Sequence, residues 1–481
     1  GAPLLWTTEA DFSERGRAVI AEIANADDWG LSARDFSVPQ PGTGDLTPEA
    51  AAATEIELTF AVLKYARYAR GGRIRTPSSL SKLLDYKLPL HAPKDVLAGI
   101  AASDAPDAYL QSLHPRHEQF AQLRQKLIKL RDPATGHSKL AYGEKLQVVL
   151  PPAGKASDET PRRESPEDAL RIGRILVNME RWRWMPDDLG AVHVWNNVPE
   201  FLTRIVKDGE TVHTDRIVVG LPDWPTPAFS ADMKQIVFHP SWGVPDGIKR
   251  KELAPLLRKS AGGGLIGLFT GAPSSSAILE QHKLEAYYQG RPIDPNQVDW
   301  AGANIAAYEF RQPPGPTNVL GKVKFLFPNT HDVYMHDTPD RDLFGRSFRG
   351  LSHGCMRVGN PQKLAEVLLA YDKGWSAREV AGLWNGGTRE VALTTHIPVH
   401  MTYFTAMVDD DGTLRTYGDL YGIDKRMGAV LLGKGVPFVT PRYETEIAAA
   451  RPRRRQDQEA SAGGPAGLTS LADAISSIFS P

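Results

Sequence analysis

AVHVWNNVPEFLTRIVKDGETVHTDRIVVG, residues 191–220, sets the architecture. Its β-branched runs are short, and Asp208-Gly209 sits between two of them. A two-residue hairpin turn needs that kind of pair, because both positions take positive φ. The pattern recurs downstream in KQIVFHP (234–240), KVKFLFP (322–328), DVYMHDT (332–338), REVALTT (389–395) and HIPVHMTYFTAMVD (396–409). GTLRTYG (412–418) follows a second turn at Asp410-Asp411-Gly412. The expectation is an antiparallel, sheet-rich domain of roughly 250 residues, within the usual domain range. Residues 246–300 interrupt the strands. They hold a helix-like stretch (DGIKRKELAPLLRKS), a glycine run at 262–264 and three serines at 274–276, and read as an insertion or flap.

Upstream, residues 1–150 read as mainly helical, so the fold class is α+β. Thr47-Pro48-Glu49 supplies an N-cap, a proline at the first helical position and an acid near the positive helix end. EIELTFAVLKYARY (55–68) sets Ile56, Phe60, Leu63 and Ala66 at helical spacing, and Gly71-Gly72 stops the helix. His117 to Arg131 predicts another helix, with Phe120, Leu123, Leu127 and Leu130 on one stripe. Residues 151–165, rich in Pro, Ser and charge, read as a linker. Ser165-Pro166-Glu167-Asp168 then starts a helix through a capping box completed by Asp168, and the tryptophans of MERWRWMP (179–186) read as packing. From 444 to 481 the chain turns low-complexity (RPRRRQDQEASAGGPAG) and ends in LTSLADAISSIF, a short amphipathic helix in an otherwise disordered tail.

At 481 residues the chain is too long for one ordinary core, and two or three domains are expected. Hydrophobic residues at 41% and charged residues at 23% give a globular balance. The 56 Lys and Arg nearly cancel the 57 Asp and Glu, leaving a net charge of −1, which removes the basic excess a nucleic-acid binder needs. No apolar run approaches the length of a membrane span. The opening GAPLLWTTEADFSERGR lacks a basic segment followed by an apolar core, so it is not an intact signal peptide, and composition leaves the compartment open. The single cysteine, Cys355, excludes an internal disulfide and a thiolate-cluster zinc site.

That cysteine lies in HDTPDRDLFGRSFRGLSHGCMRVGNP, residues 336–361, flanked by Ser352, His353, Gly354 and Arg357. A thiolate nucleophile needs a base or cation, exposure, amide donors and room for a carbonyl. Gly354 permits close backbone approach. Asn360-Pro361 starts a helix, with Leu364, Val367, Leu368 and Tyr371 inward, whose positive end is expected near the cysteine. Two histidines compete as base. His353 is two residues away, and His336 lies 19 residues upstream on a predicted strand. Against catalysis stands the ordinary role of a lone cysteine as a small buried apolar side chain.

SHGCMRV with the upstream YMHDTP resembles the active-site signature of L,D-transpeptidases with a YkuD-type catalytic domain, on its YcbB-type branch. MERWRWMPDDLG (179–190), VVGLPDWPTPAF (218–229), FHPSWGVPDGIK (238–249), RQPPGPTNVLGKVKFLFPN (311–329) and YGIDKRM (421–427) are similar to that branch. GLSARDF (30–36), LTFAVLKYARYARGGRI (58–74) and HPRHEQFAQLRQKL (114–127) resemble its helical scaffold.

The resemblance implies a scaffold over 1–150, a catalytic domain over 166–443 and a lid at 246–300, with no metal or cofactor. It implies that Cys355 attacks the bond between meso-diaminopimelate and the terminal D-Ala of a peptidoglycan stem tetrapeptide. The acyl group then passes to a second stem as a 3→3 cross-link. His336 matches the family base, oriented by Asp337 or a backbone carbonyl. Gly354 and Cys355 amides, with Tyr334, would face the oxyanion. Arg357 would bind a stem carboxylate or brace the loop, and Trp242 belongs to the lid over the cleft. Ser352 and His353 fill out the substrate-binding set. Carbapenem-type β-lactams are expected inhibitors, the periplasm the expected compartment after signal-peptide removal, and an outer-membrane protein a further acceptor. The separate peptidoglycan-binding module frequent in the branch has no counterpart in the short stretch 132–165. With the same cysteine, water as acceptor would make an L,D-carboxypeptidase or cross-link hydrolase, and a protein amine an anchoring enzyme. A wall-binding scaffold without activity predicts loss of the cysteine or histidine, and both are present. A papain-like protease predicts the opposite order of cysteine and histidine.

Overall fold

The computed structural model describes residues 4–8, 11–39, 47–131, 166–261 and 273–433. The expected linker, the 132–165 stretch, the glycine run at 262–264 and the C-terminal tail with its short helix lie outside the described residues. The chain divides into two compact units. One runs to Leu189 and resumes at Tyr403, and the other is Gly190–Thr402.

In the first unit the helix Pro48–Ala69 is capped as its sequence predicts, with the Thr47 side chain accepting the Ala50 amide. The buried stripe is not the expected one. Leu58, Ala61, Val62, Tyr65 and Ala69 face the core with Trp6, Val19 and Ile23, whereas Ile56 and Phe60 are 59% and 67% exposed. Of the predicted four only Ala66 is buried, because the face that meets Trp6 and Phe36 is the one carrying Leu58, Val62 and Tyr65. The helix Glu118–Arg131 buries Phe120, Leu123 and Leu127 as expected.

The helix Pro166–Trp182 and the chain from Tyr403 also fold with this unit, so the sheet domain is narrower than 166–443. An ion pair between Arg181 and Asp424 at 2.6 Å, both side chains buried, joins them. Thr405 donates its hydroxyl to Asp424 at 2.6 Å and receives the Asn178 amide at 2.9 Å. The Asp410–Gly412 turn joins Ala406–Val408 to Leu414–Thr416 as an antiparallel hairpin.

In the second unit the strands are β1 Val192–Asn197, β2 Leu202–Lys207, β3 Glu210–Gly220, β4 Phe229–Phe238, β5 Trp242–Gly243, β6 Glu285–Tyr288, β7 Arg291–Pro292, β8 Tyr308–Gln312, β9 Val323–Leu326, β10 Met335–His336, β11 Gly350–Ser352, β12 Met356–Val358 and β13 Arg389–Thr402. Asp208 and Gly209 take φ of 51° and 85° and close the predicted β2–β3 hairpin. Nine strands form one sheet in the order β11-β3-β12-β10-β9-β4-β13-β1-β2. Because the long β3 pairs with β2 through its first half and with β12 through its second, the sheet closes on itself and hides its edges.

The sheet is mixed rather than antiparallel. β1 with β13, β10 with β12, and β11 with β3 run parallel. Parallel neighbours need a crossover of a dozen or more residues, and short hairpin signals cannot reveal them. The two runs read at 389–395 and 396–409 are one strand to Thr402, with a register shift between Ala392 and Ile397.

The interruption after β4 is a subdomain with its own core. β5-β8-β6-β7 form a small sheet, and Trp242, Leu253, Leu257, Trp300, Phe310 and Leu320 pack together. It begins before 246 and continues past 300. The Pro361–Lys373 helix caps as predicted, the Asn360 side chain accepting the Lys363 amide. Leu364 and Leu368 are buried and Val367 half-buried, but Tyr371 is 42% exposed.

Candidate active site

The site grows from the β10–β12 register. His336 stands opposite Arg357, which sets Tyr334 opposite Cys355, and the Met356 amide donates to the Tyr334 carbonyl at 3.1 Å. Side chains alternate along a strand, so Tyr334 and His336 share a face with Cys355 and Arg357. His336 and Cys355 are diagonal neighbours, a separation of roughly 7 Å between backbones that an imidazole and a thiol span. The 19-residue spacing read in the sequence is the crossover that returns the chain parallel to β10. Cys355, half-buried, is the free thiol at the end of that crossover.

His336 is buried, and its Nδ1 lies 2.5 Å from the Asp337 carbonyl. That bond places the proton on Nδ1 and leaves the Nε2 lone pair open, as a general base requires. Of the two expected orienters, the backbone carbonyl holds the ring. The Asp337 carboxylate is turned away. It accepts the Lys322 and Thr338 amides at 2.7 Å each and pairs with Arg341. The Asp337 carboxylate therefore anchors the loop. Arg357 is buried against Asp340 at 2.9 Å and Thr338 at 3.4 Å, the bracing role of the two expected.

The Tyr334 hydroxyl lies between the Trp242 indole and the Cys355 thiol, hydrogen-bonded to both. The Tyr334 backbone and hydroxyl and the Arg357 charge favour the thiolate, but burial outweighs them and lifts the thiol to about 11. The resting thiol points to the Asp332 carbonyl, 3.8 Å from Sγ. Burial, with the nearby Arg357 charge, lowers His336 to about 3. Both directions keep the two groups neutral at rest.

Gly354 takes φ of 110°, a conformation side chains rarely adopt, although a Cβ there has space. Its carbonyl accepts the Thr226 hydroxyl at 2.7 Å and its amide donates to Ser352 Oγ at 3.2 Å. Ser352 in turn donates to the Cys355 carbonyl at 2.6 Å. The Gly354 amide is thus spent, contrary to expectation. Among the described residues no partner accepts the Cys355 amide, and it joins the Tyr334 hydroxyl as a donor for an oxyanion. The strand β12 separates Cys355 from the helix start at Asn360. Asp215 accepts the Asn360 amide there.

The His353 Nε2 lies 2.9 Å from Glu252 Oε1 of the subdomain, and its ring packs at 5.2 Å on Trp224. Trp224 and Tyr334 pack on the subdomain core, so Trp242 and its neighbours adjoin the site as expected of a lid. Sequence reasoning missed Asp332, Thr226, Trp224 and Glu252. Asn329 carried a signal for the first. Its carboxamide accepts the His331 and Val333 amides and shapes the turn bearing Asp332, the turn chemistry expected of Asn after Pro328.

Residues 191–375 match the L,D-transpeptidase catalytic domain, YkuD, and residues 1–127 match a scaffold domain. A Haemophilus influenzae protein named as a candidate L,D-transpeptidase is 29% identical over 256 residues. The match takes in 53% of this chain and 48% of that protein, so the chain spans about half the length of its curated relative. An L,D-transpeptidase from Mycobacterium smegmatis is 13% identical, with a TM-score of 0.19 over 44% of this chain and 58% of its own. An Ldtfm–avibactam carbamoyl enzyme is 15% identical, with a TM-score of 0.17 over 44% and 50%.

Proposed function

Because residues 191–375 belong to the YkuD family of L,D-transpeptidase catalytic domains, we propose that this chain is a peptidoglycan L,D-transpeptidase working through a Cys355 thioester. The observation that carries the reading is the β10–β12 register, which sets Cys355 and His336 on one sheet face with the His336 ring held by the Asp337 carbonyl through Nδ1. The donor is the bond between meso-diaminopimelate and D-Ala in a stem tetrapeptide. Sγ attacks the carbonyl while His336 Nε2 takes the thiol proton. The oxyanion meets the Cys355 amide and the Tyr334 hydroxyl. His336 then hands the proton to the departing amine, and D-Ala leaves. The side-chain amine of a second stem takes the acyl group and forms the 3→3 cross-link. The chain acts in the periplasm, and carbapenems acylate the same sulfur.

Intact-mass analysis after carbapenem treatment, with the adduct mapped to its residue, tests the nucleophile. The expected result is one adduct on Cys355 and none on Cys355→Ala. An adduct elsewhere overturns the site. Mass spectrometry of products from defined muropeptides tests the acceptor. Cross-linked dimers are expected, and exclusive hydrolysis refutes the transferase reading.

A further inference from the structure

The proton count of this reaction leaves one proton without a carrier. In acylation His336 receives the thiol proton and returns it to the leaving nitrogen, so it ends neutral. The incoming acceptor is an alkylammonium near neutral pH, with a neutral fraction of about 10⁻³ for a lysine-like amine. It must lose one proton before its nitrogen has a lone pair, and a second as the C–N bond forms. His336 has capacity for the second only, which it passes to the departing Sγ.

We propose that His353 and Glu252 form a second acid–base pair, which takes the first proton from the acceptor ammonium. This rests on the reading of the preceding subsection. His353 and Cys355 are separated by Gly354 alone, so their backbones lie within about 7 Å. His353 Nε2 is committed to Glu252 at 2.9 Å, with both side chains 19% exposed. Nδ1 makes no hydrogen bond among the described residues, and it is the ring's open lone pair. The other Glu252 oxygen, Oε2, is buried with no hydrogen-bond partner among the described residues, so the carboxylate has unused capacity to hold a positive charge beside it.

Glu252 sits in the π-helical turn Lys249–Leu253, the kind of local irregularity that re-aims a side chain. Lys251 on the same turn lies over the Trp224 ring at 3.8 Å, and Asp223 precedes that ring. Lys249 and Arg250 are paired with Asp246 and do not compete for Glu252.

The step balances as follows. An N–H bond of the ammonium breaks and its proton joins His353 Nδ1, giving an imidazolium paired with Glu252. The freed nitrogen attacks the thioester carbon. Its next proton goes through His336 Nε2 to Sγ as the C–S bond breaks. His353 releases its proton to solvent. His353 is the group that meets the acceptor, and Glu252 is a positioning residue acting through it.

The experiment starts from preformed acyl-enzyme made with a stem tetrapeptide. Two nucleophiles compete, Nα-acetyl-lysine as the protonated amine and hydroxylamine as one already neutral near pH 7.5. The quantity read is the ratio of amine to hydroxylamine product. In Glu252→Gln and His353→Gln that ratio is expected to fall by about 10²-fold near neutral pH. It should recover toward the unaltered ratio as pH approaches that of the free amine. A purely structural role for the pair lowers both products together and leaves the ratio unchanged at every pH, and that result overturns the proposal. If the unaltered chain forms no acyl-enzyme, the proposed function itself fails, which is a separate observation.

Discussion

Cys355 is the only cysteine in 481 residues, so the chemistry of its thiol can be read without interference. Burial pushes its pKa up from 9.0 to about 11, which cuts the thiolate fraction near neutrality by about 100-fold. A more basic thiolate is intrinsically more reactive, and a Brønsted slope near 0.45 returns roughly eightfold. Alkylation by iodoacetamide is therefore expected to run about tenfold slower than for an unperturbed cysteine near pH 7.5. The rate should climb without a plateau until about pH 11.

Tyr334→Phe removes one donor to sulfur. A hydrogen bond to a charged group is worth about 1.5–3 kcal/mol, so the thiol rises a further one to two pK steps. Alkylation then slows by roughly four- to fifteenfold once nucleophilicity is allowed for. The assay is intact-mass kinetics of a single adduct across pH. A plateau beginning near pH 6 would mean a resting thiolate–imidazolium pair and would refute the neutral-pair reasoning, as would faster alkylation in Tyr334→Phe.

The same pKa values predict acylation by a carbapenem that is flat between about pH 5 and pH 9, since His336 at about 3 stays neutral and the thiol at about 11 stays protonated throughout. Stopped-flow adduct formation checks it, and the limbs lie where imidazole gains or thiol loses its proton. His336→Ala should slow acylation by about 10²- to 10⁴-fold, and by more than His353→Ala, in the same assay. Gly354→Ala forces a side chain into φ of 110°, at a cost of about 1–3 kcal/mol, seen as lower thermal stability and lost acylation. Asp424→Asn leaves Arg181 buried without its counter-charge and should destabilise the helical unit by about 3–5 kcal/mol in chemical denaturation.

Local chemistry was readable where it was written in neighbouring residues. Asp208-Gly209 announced its hairpin, Thr47-Pro48 and Asn360-Pro361 their helix starts. The His336 and Cys355 pairing was also legible, because a 19-residue crossover is what two parallel strands demand. What depended on distant partners was not. The parallel β1–β13 pairing joins residues some two hundred apart, and Glu252 meets His353 across 101 positions with no motif to signal it. Periodicity offered two apolar stripes on the helix Pro48–Ala69, and only packing against Trp6 and Phe36 selected the one carrying Leu58, Val62 and Tyr65. The roles of Gly354 and Asp337 turned on which single hydrogen bond each group makes, a choice fixed by the folded loop rather than by residue type.

The raised thiol pKa gives the lone cysteine a second meaning. A nucleophile acting in the oxidising compartment proposed for this chain is exposed to the chemistry that converts thiolates to sulfenic acid and mixed disulfides, and susceptibility follows thiolate character. An activated thiolate would be attacked continuously. A thiol kept protonated by burial, with about 100-fold less thiolate than an unperturbed cysteine, is shielded from that loss. In the proposed mechanism, activation is deferred until a carbonyl occupies the site, when His336 takes the proton in the same event that forms the C–S bond. The absence of a second cysteine and the burial of the first act in the same direction. One removes the internal partner for a disulfide, and the other withholds the reactive form until substrate is present.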